Sequence, residues 1–105
     1  ISEKNSEVTI SAMIYNTTFA PEDIISVEML TDMPSCTRTN GYGGATKSSG
    51  HFTVSGYGPS MLYIYNDVEE YIVIHLKGDG PEYVFVNGET KDKTNELYDY
   101  FINLH

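Results

Sequence analysis

Tryptophan is absent from this 105-residue chain, cysteine occurs once, and only six residues are Lys or Arg. Each shortage excludes something. A lone Cys36 permits no intrachain disulfide, so the fold has to rest on a buried core. A single domain of this length can build one without disulfides or a metal. Fifteen acidic residues against six basic ones give a formal net charge of −9. Nucleic acids are held chiefly by Lys and Arg on phosphate, and an anionic membrane surface makes the same demand. No basic run answers it, so nucleic acid is excluded as a partner. No apolar run approaches the length that spans a bilayer. Ile1 leads into a polar stretch, which is not a signal peptide. A start at Ile is read as a fragment or a processed product. Membrane association is then expected only through a segment absent from this chain, and the compartment stays open.

What is present favours a β fold. The chain is 40% hydrophobic, with nine Tyr and four Phe. Residues 1–6 read as a polar lead-in and residues 7–105 as one domain. Val8, Ile10, Ala12 and Ile14 alternate with polar neighbours, the period of a half-buried strand. Asn16-Thr17-Thr18 reads as a turn, although it also spells a glycosylation sequon. Ile25, Val27 and Met29 repeat the alternation. Residues 35–40 form a weaker, polar strand candidate. Four glycines between Gly41 and Gly50 predict a mobile loop or positive-φ positions. Further strands are expected over 51–55, 61–65, 71–76 and 82–86, separated by Gly56-Tyr57-Gly58-Pro59, Asn66-Asp67 and Gly78-Asp79-Gly80-Pro81.

After Glu89 the period changes. Thr94, Leu97, Phe101 and Leu104 recur at three and four, with Tyr98 and Ile102 beside them, which is one apolar stripe on a helix. Thr90 or Asp92 can cap its start. Seven strands followed by one amphipathic helix predict a curled sheet or small barrel with the helix plugging an open end.

Chemistry-bearing motifs are thin. Gly41-Tyr42-Gly43-Gly44-Ala45-Thr46-Lys47-Ser48 nearly spells a phosphate-cradling loop, but Thr46 stands where the second glycine belongs. A strand, not a helix, is expected after it. Cys36 as a nucleophile needs a base, and the histidines at 51, 75 and 105 show no recognisable spacing. A buried, inert thiol is the preferred reading. Zinc-ligand spacings and the spaced-Asp calcium loop are both missing. Asp67, Glu69 and Glu70, like Asp79 and Glu82, sit in turns and read as solvated surface. The tyrosines say more. Tyr42 and Tyr57 are placed at loop tips, while Tyr63 and Tyr65 share one strand face. Exposed Tyr suits recognition; the alternative is that these rings cover a barrel wall.

The order of Asp23-Ile24-Ile25-Ser26-Val27-Glu28-Met29-Leu30, then Arg38-Thr39-Asn40-Gly41, a Gly-rich loop and Gly50-His51-Phe52, resembles the bacterial pleckstrin-homology-like domain family. Tyr63-Ile64-Tyr65, Tyr71-Ile72-Val73-Ile74, Tyr83-Val84-Phe85-Val86 and the terminal helix continue the likeness over residues 7–104. The resemblance implies a mainly β, partly open, seven-stranded barrel of two near-orthogonal antiparallel sheets capped by one C-terminal α-helix. It implies no catalytic residues, cofactor or metal. It also implies frequent company with membrane-spanning segments, as in the soluble domain of a membrane-associated bacterial protein. Relatives that bind inositol phospholipids do so through a basic loop, and here Arg38 and Lys47 are the only basic residues near it.

The expected function is therefore a non-catalytic interaction module that binds a protein or peptide, or assembles with its own copies. Arg38, Asn40, Gly41 and Tyr42 are expected to shape the loop after the third strand. Tyr63 and Tyr65 are the expected aromatic contact face. The alternative is a small ligand or lipid held in the open barrel mouth, which a deep apolar pocket would support and a filled interior would oppose.

Overall fold

The computed structural model describes residues 1–105 as nine strands in two sheets, closed by one C-terminal helix. Two of the nine were not expected. Strand β1 (Ser2–Lys4) arises from the polar lead-in and β3 (Tyr15–Phe19) from the segment read as a turn; they flank β2 (Glu7–Ala12) in a three-stranded antiparallel sheet. The β1–β2 connection is a two-residue turn in which Asn5 and Ser6 both have positive φ, the pairing that matches the right-handed twist of a hairpin. The β2–β3 turn falls at Met13-Ile14, with Met13 at φ 58°. No Gly or Asn marks that turn, so in the sequence the alternation runs on to Ile14. In β3, Thr17 and Phe19 point inward and Asn16 and Thr18 outward, which suits β-branched and aromatic side chains to a pleated surface.

The larger sheet contains β4 (Ile24–Leu30), β5 (Cys36–Gly43), β6 (Lys47–Val54), β7 (Gly58–Tyr65), β8 (Tyr71–Leu76) and β9 (Tyr83–Val86), in the order β4-β8-β9-β7-β6-β5. It is mixed rather than antiparallel throughout. β9 returns from β8 as a hairpin arm and inserts beside β7, with Leu62 opposite Phe85 in a parallel register. The expected pair of all-antiparallel sheets is corrected on this point, as is the expected count of seven strands. Central β7, β8 and β9 are apolar on both sides, as strands buried on two faces must be.

The glycine-rich segment, read as a mobile loop or as positive-φ positions, is mostly a β-hairpin, and Gly50 does take a positive φ. β5 and β6 pair from Cys36↔Val54 to Gly43↔Ser48, and the turn is pinned where Gly44 N–H donates to Lys47 O at 2.8 Å. Gly41 lies opposite Gly50, and the glycines are needed for space. A Cβ on Gly50 would meet the Gly41 Cα at 2.8 Å and the Tyr15 ring at 3.0 Å.

Chain geometry forces this sheet to coil. Leu30 ends one edge strand and Cys36 opens the other, with only residues 31–35 between them. In a flat six-stranded sheet those edges would lie about 24 Å apart, and the register offset adds as much again along the strands. Six Cα steps reach only about 22 Å. Opposite corners must therefore approach, folding one face inward. That face is filled by Phe52, Val54, Leu62, Ile64, Tyr71, Val73 and Phe85, with Leu30 at the end of β4 and Met33 of the crossing segment packed on it.

The other face carries Met61, Tyr63, Ile72, Ile74, Val84 and Val86. They form a second core with Val8, Ile10 and Phe19 of the small sheet and Phe101 of helix α1 (Lys91–Leu104). Thr90 caps α1 as expected, its side chain accepting from Lys93 N–H at 3.1 Å. Thr94 and Phe101 are buried and Leu97, Tyr98 and Leu104 pack partly, while Ile102 stays exposed. The helix therefore covers the β2–β3 side of the sheet.

Candidate functional site

The small sheet and α1 share one face of the large sheet but do not meet over all of it. Between them lies a cleft of about 780 Å³. Ile10, Tyr63 and Val86 are buried at its base, and Leu97 and Tyr100 line the helix side. Ala12 and Met13 bring in the end of the β2–β3 hairpin, and Tyr42, Lys47 and Tyr65 the β5–β7 side.

Three of the six expected binding residues meet in this cleft: Tyr42, Tyr63 and Tyr65. Their settings differ. Tyr63 is buried, and its hydroxyl shares a 2.7 Å hydrogen bond with Thr17 Oγ1. Burial pushes the Tyr63 phenol pKa up, and the Thr17 bond offsets part of that rise. Tyr65 is half-buried, with Lys47 Nζ 5.2 Å from its ring centroid, in range of a cation–π contact. Tyr42 is 45% exposed at the rim, on strand β5 rather than at a loop tip. Arg38, Asn40 and Gly41 do not join the cleft. They belong to β5, where Arg38 and Asn40 are exposed and flank a β-bulge. The strand candidate over 35–40 is real but longer than expected: pairing with β6 carries it through Gly41 to Gly43, so the loop these residues were expected to shape begins later.

Tyr57, the other tyrosine assigned to a loop tip, is packed inward. Its ring makes edge contacts with Tyr83 and Phe85 at 5.0 and 5.1 Å.

Across the mouth, the Tyr100 hydroxyl donates to Glu3 Oε2 at 2.7 Å and ties α1 to β1. Burial first, then the bond to Glu3 and its negative charge, push the Tyr100 pKa up to about 12.

Two buried polar side chains at the cleft were missed. Ser49 lies beneath the cleft at 3% exposure. Asn87 borders it, buried and bonded to four backbone groups of residues 65–70. Ser49 fell inside the presumed loop, and Asn87 looked like half of an ordinary Asn-Gly turn. Only the strand alternation Lys47, Ser49, His51 hinted at the first.

The groups that would serve catalysis are scattered. Cys36 is exposed opposite Val54, and His51 lies opposite Asn40 further along the same ladder. The expected burial of Cys36 is corrected. Partial desolvation nevertheless raises the thiol pKa, away from the thiolate. His75 stacks on Tyr83 at 4.4 Å and reaches Glu82 at 3.1 Å on the surface. No group of three or more His, Cys, Asp or Glu side chains stands close enough to hold a metal ion.

No family model matches the chain, and no curated protein or solved structure matches it either.

Proposed function

We propose that this protein is a non-catalytic binding module that takes a small, largely apolar ligand into the cleft between the β2–β3 hairpin, β7 and α1. The supporting observation is the cleft itself. Its volume falls within the roughly 300–1,000 Å³ typical of ligand sites, and apolar walls with a few polar groups are the usual lining. The site differs from the expected barrel mouth. The inward face of the coiled sheet is filled by side chains, so the room for a ligand lies on the opposite face. Scattering of Cys36, His51 and His75 supports a role without catalysis. The pleckstrin-homology-like relationship belongs to the same proposal: a curled sheet with a terminal helix favours it, while the parallel β7–β9 pair departs from it.

The test is an amide-shift NMR titration with a panel of small apolar compounds, on the wild type and on Ala12→Trp, which narrows the cleft. Binding should move resonances of Ile10, Tyr63, Val86 and Leu97 and weaken at least several-fold in the variant. Shifts confined to other surfaces would refute the site.

A second reading has its own support. β5 is an eight-residue edge strand, exposed along nearly all its length. A partner strand or a second copy can add to such an edge. The bulge between Arg38 and Asn40, and the charge of Arg38, blunt it and place this reading second.

A further inference from the structure

The chain buries five polar side chains: Thr17, Ser49, Ser60, Asn87 and Thr94. Thr17 bonds Tyr63, Ser60 bonds the Gly58 carbonyl, Asn87 serves residues 65–70, and Thr94 joins Gly88 N–H to the Thr90 carbonyl. Ser49 alone forms no side-chain hydrogen bond within the protein. Every side-chain nitrogen or oxygen that is sealed from solvent has a partner, so the Ser49 hydroxyl is not sealed: it opens on the cleft. Strand register agrees. Ser49 stands opposite Tyr63 on β6 and β7, on the face that carries the cleft.

Ser49 is a residue more than nine-tenths buried, and a hydroxyl with so little access to water needs a partner, or it weakens the fold. Its neighbours at the base, Ile10, Tyr63 and Val86, offer none, since the Tyr63 hydroxyl is committed to Thr17. Charge is confined to the rim. Glu3, Lys47, Glu89, Lys93 and Glu96 are all exposed, and none forms an ion pair. A charged head driven to the base would lose its hydration and meet no counter-charge there.

We infer that Ser49 is the polar anchor of the cleft, and that the ligand is an uncharged molecule entering with a neutral hydrogen-bonding head, such as an alcohol, ketone or amide, on an apolar body. This rests on the cleft being the binding site. Ser49 then supplies orientation and the apolar walls supply most of the affinity.

Four probes of matched shape test it: 4-phenylbutanol, butylbenzene, 4-phenylbutyrate and 4-phenylbutylamine, each titrated by amide-shift NMR. The alcohol should bind best, roughly five- to tenfold above butylbenzene, the gain a single partly buried hydrogen bond brings. Both charged analogues should bind more weakly than the alcohol. In Ser49→Ala the advantage of the alcohol should vanish while butylbenzene binds as before. The urea midpoint should not fall, because no internal bond is lost. Equal binding of alcohol and hydrocarbon at the cleft would overturn the role of Ser49 and leave the cleft standing. So would a preference for either charged analogue, and this ranking needs only the wild type. A lower urea midpoint in Ser49→Ala would show the hydroxyl already satisfied inside the protein and would also overturn it. Failure of all four probes to move cleft resonances would instead sink the proposed site.

Discussion

Asn87 pairs with Tyr65 as though it were one more residue of strand β9. Tyr65 N–H donates to Asn87 Oδ1 at 2.7 Å, and Asn87 Nδ2 donates back to the Tyr65 carbonyl at 3.1 Å. The same amide donates to the carbonyls of Val68 and Glu70 at 3.3 and 3.1 Å. A side chain thus carries the β7–β9 pairing one step past Val86 and gathers the β7–β8 connection around it.

Asn87→Ala should therefore cost about 3 kcal/mol, because it strands a buried donor and several carbonyls at once. Urea denaturation reads this directly. Asn87→Asp keeps the acceptor but turns a carboxylate toward carbonyl oxygens. The folded-state pKa of the new carboxyl should lie above its unfolded value, so this variant should recover stability relative to wild type as pH falls. A deficit that stays constant with pH would contradict the assigned hydrogen bonds.

Two glycines separate backbone strain from crowding. Gly50 has φ +101° and Gly56 has φ +85°. A Cβ on Gly56 meets nothing within 4 Å, whereas one on Gly50 meets the Gly41 Cα and the Tyr15 ring. Gly56→Ala should cost about 1 kcal/mol, the conformational penalty alone. Gly50→Ala should cost at least ~1 kcal/mol more, from backbone and ring displaced together. Equal losses would mean that the β5–β6 hairpin is looser than the Tyr15 packing requires.

Neighbouring helix residues should behave oppositely. Phe101 is fully buried, with its ring centroid 6.4 Å from that of Phe19, while Ile102 is 42% exposed. Phe101→Ala should cost roughly 3–5 kcal/mol and leave α1 without its anchor. Ile102→Ser should change stability by less than about 0.5 kcal/mol. Thermal unfolding of the two variants measures the contrast.

Tyr100 should titrate late. Its folded pKa of about 12 lies above the ordinary phenol value of 10.0. The neutral phenol is favoured in the folded state, so its contribution is complete below pH 10 and is lost as pH rises from 10 toward 12. Ultraviolet titration should show the Tyr100 step, like those of Tyr63 and Tyr71, coming after the exposed tyrosines. Glu3→Gln should move that step to lower pH, since the negative charge beside the phenol is gone.

Local chemistry made much of this molecule legible from the chain alone. The period of two in β2, β4 and β7, the switch to a helical period after Glu89, and the Thr90 cap all depend on neighbours within a few residues. The net charge likewise needs no coordinates. The mainly β character and the closing helix follow from these features. Tyr63 and Tyr65 could be singled out for the same reason, as aromatic residues on a strand-like pattern, whereas Tyr42 was singled out at a presumed loop tip.

What tertiary structure decided lies between distant residues. The parallel insertion of β9 beside β7 depends on pairing across more than twenty residues, which no local pattern encodes. The hairpin at Met13-Ile14 lacks turn residues, so only its partner strand reveals it. Gly41 and Gly50 read as flexibility until Tyr15 and Phe52 occupy the space that their side chains would need. Ser49 stands apart only because every other buried polar side chain has a partner within the fold, which no local pattern reveals. Composition and periodicity determined that a β domain with a terminal helix would form. Packing of the small sheet and α1 on a coiled large sheet decided where a cleft would remain, because two covering layers of fixed length cannot close over a strongly twisted face.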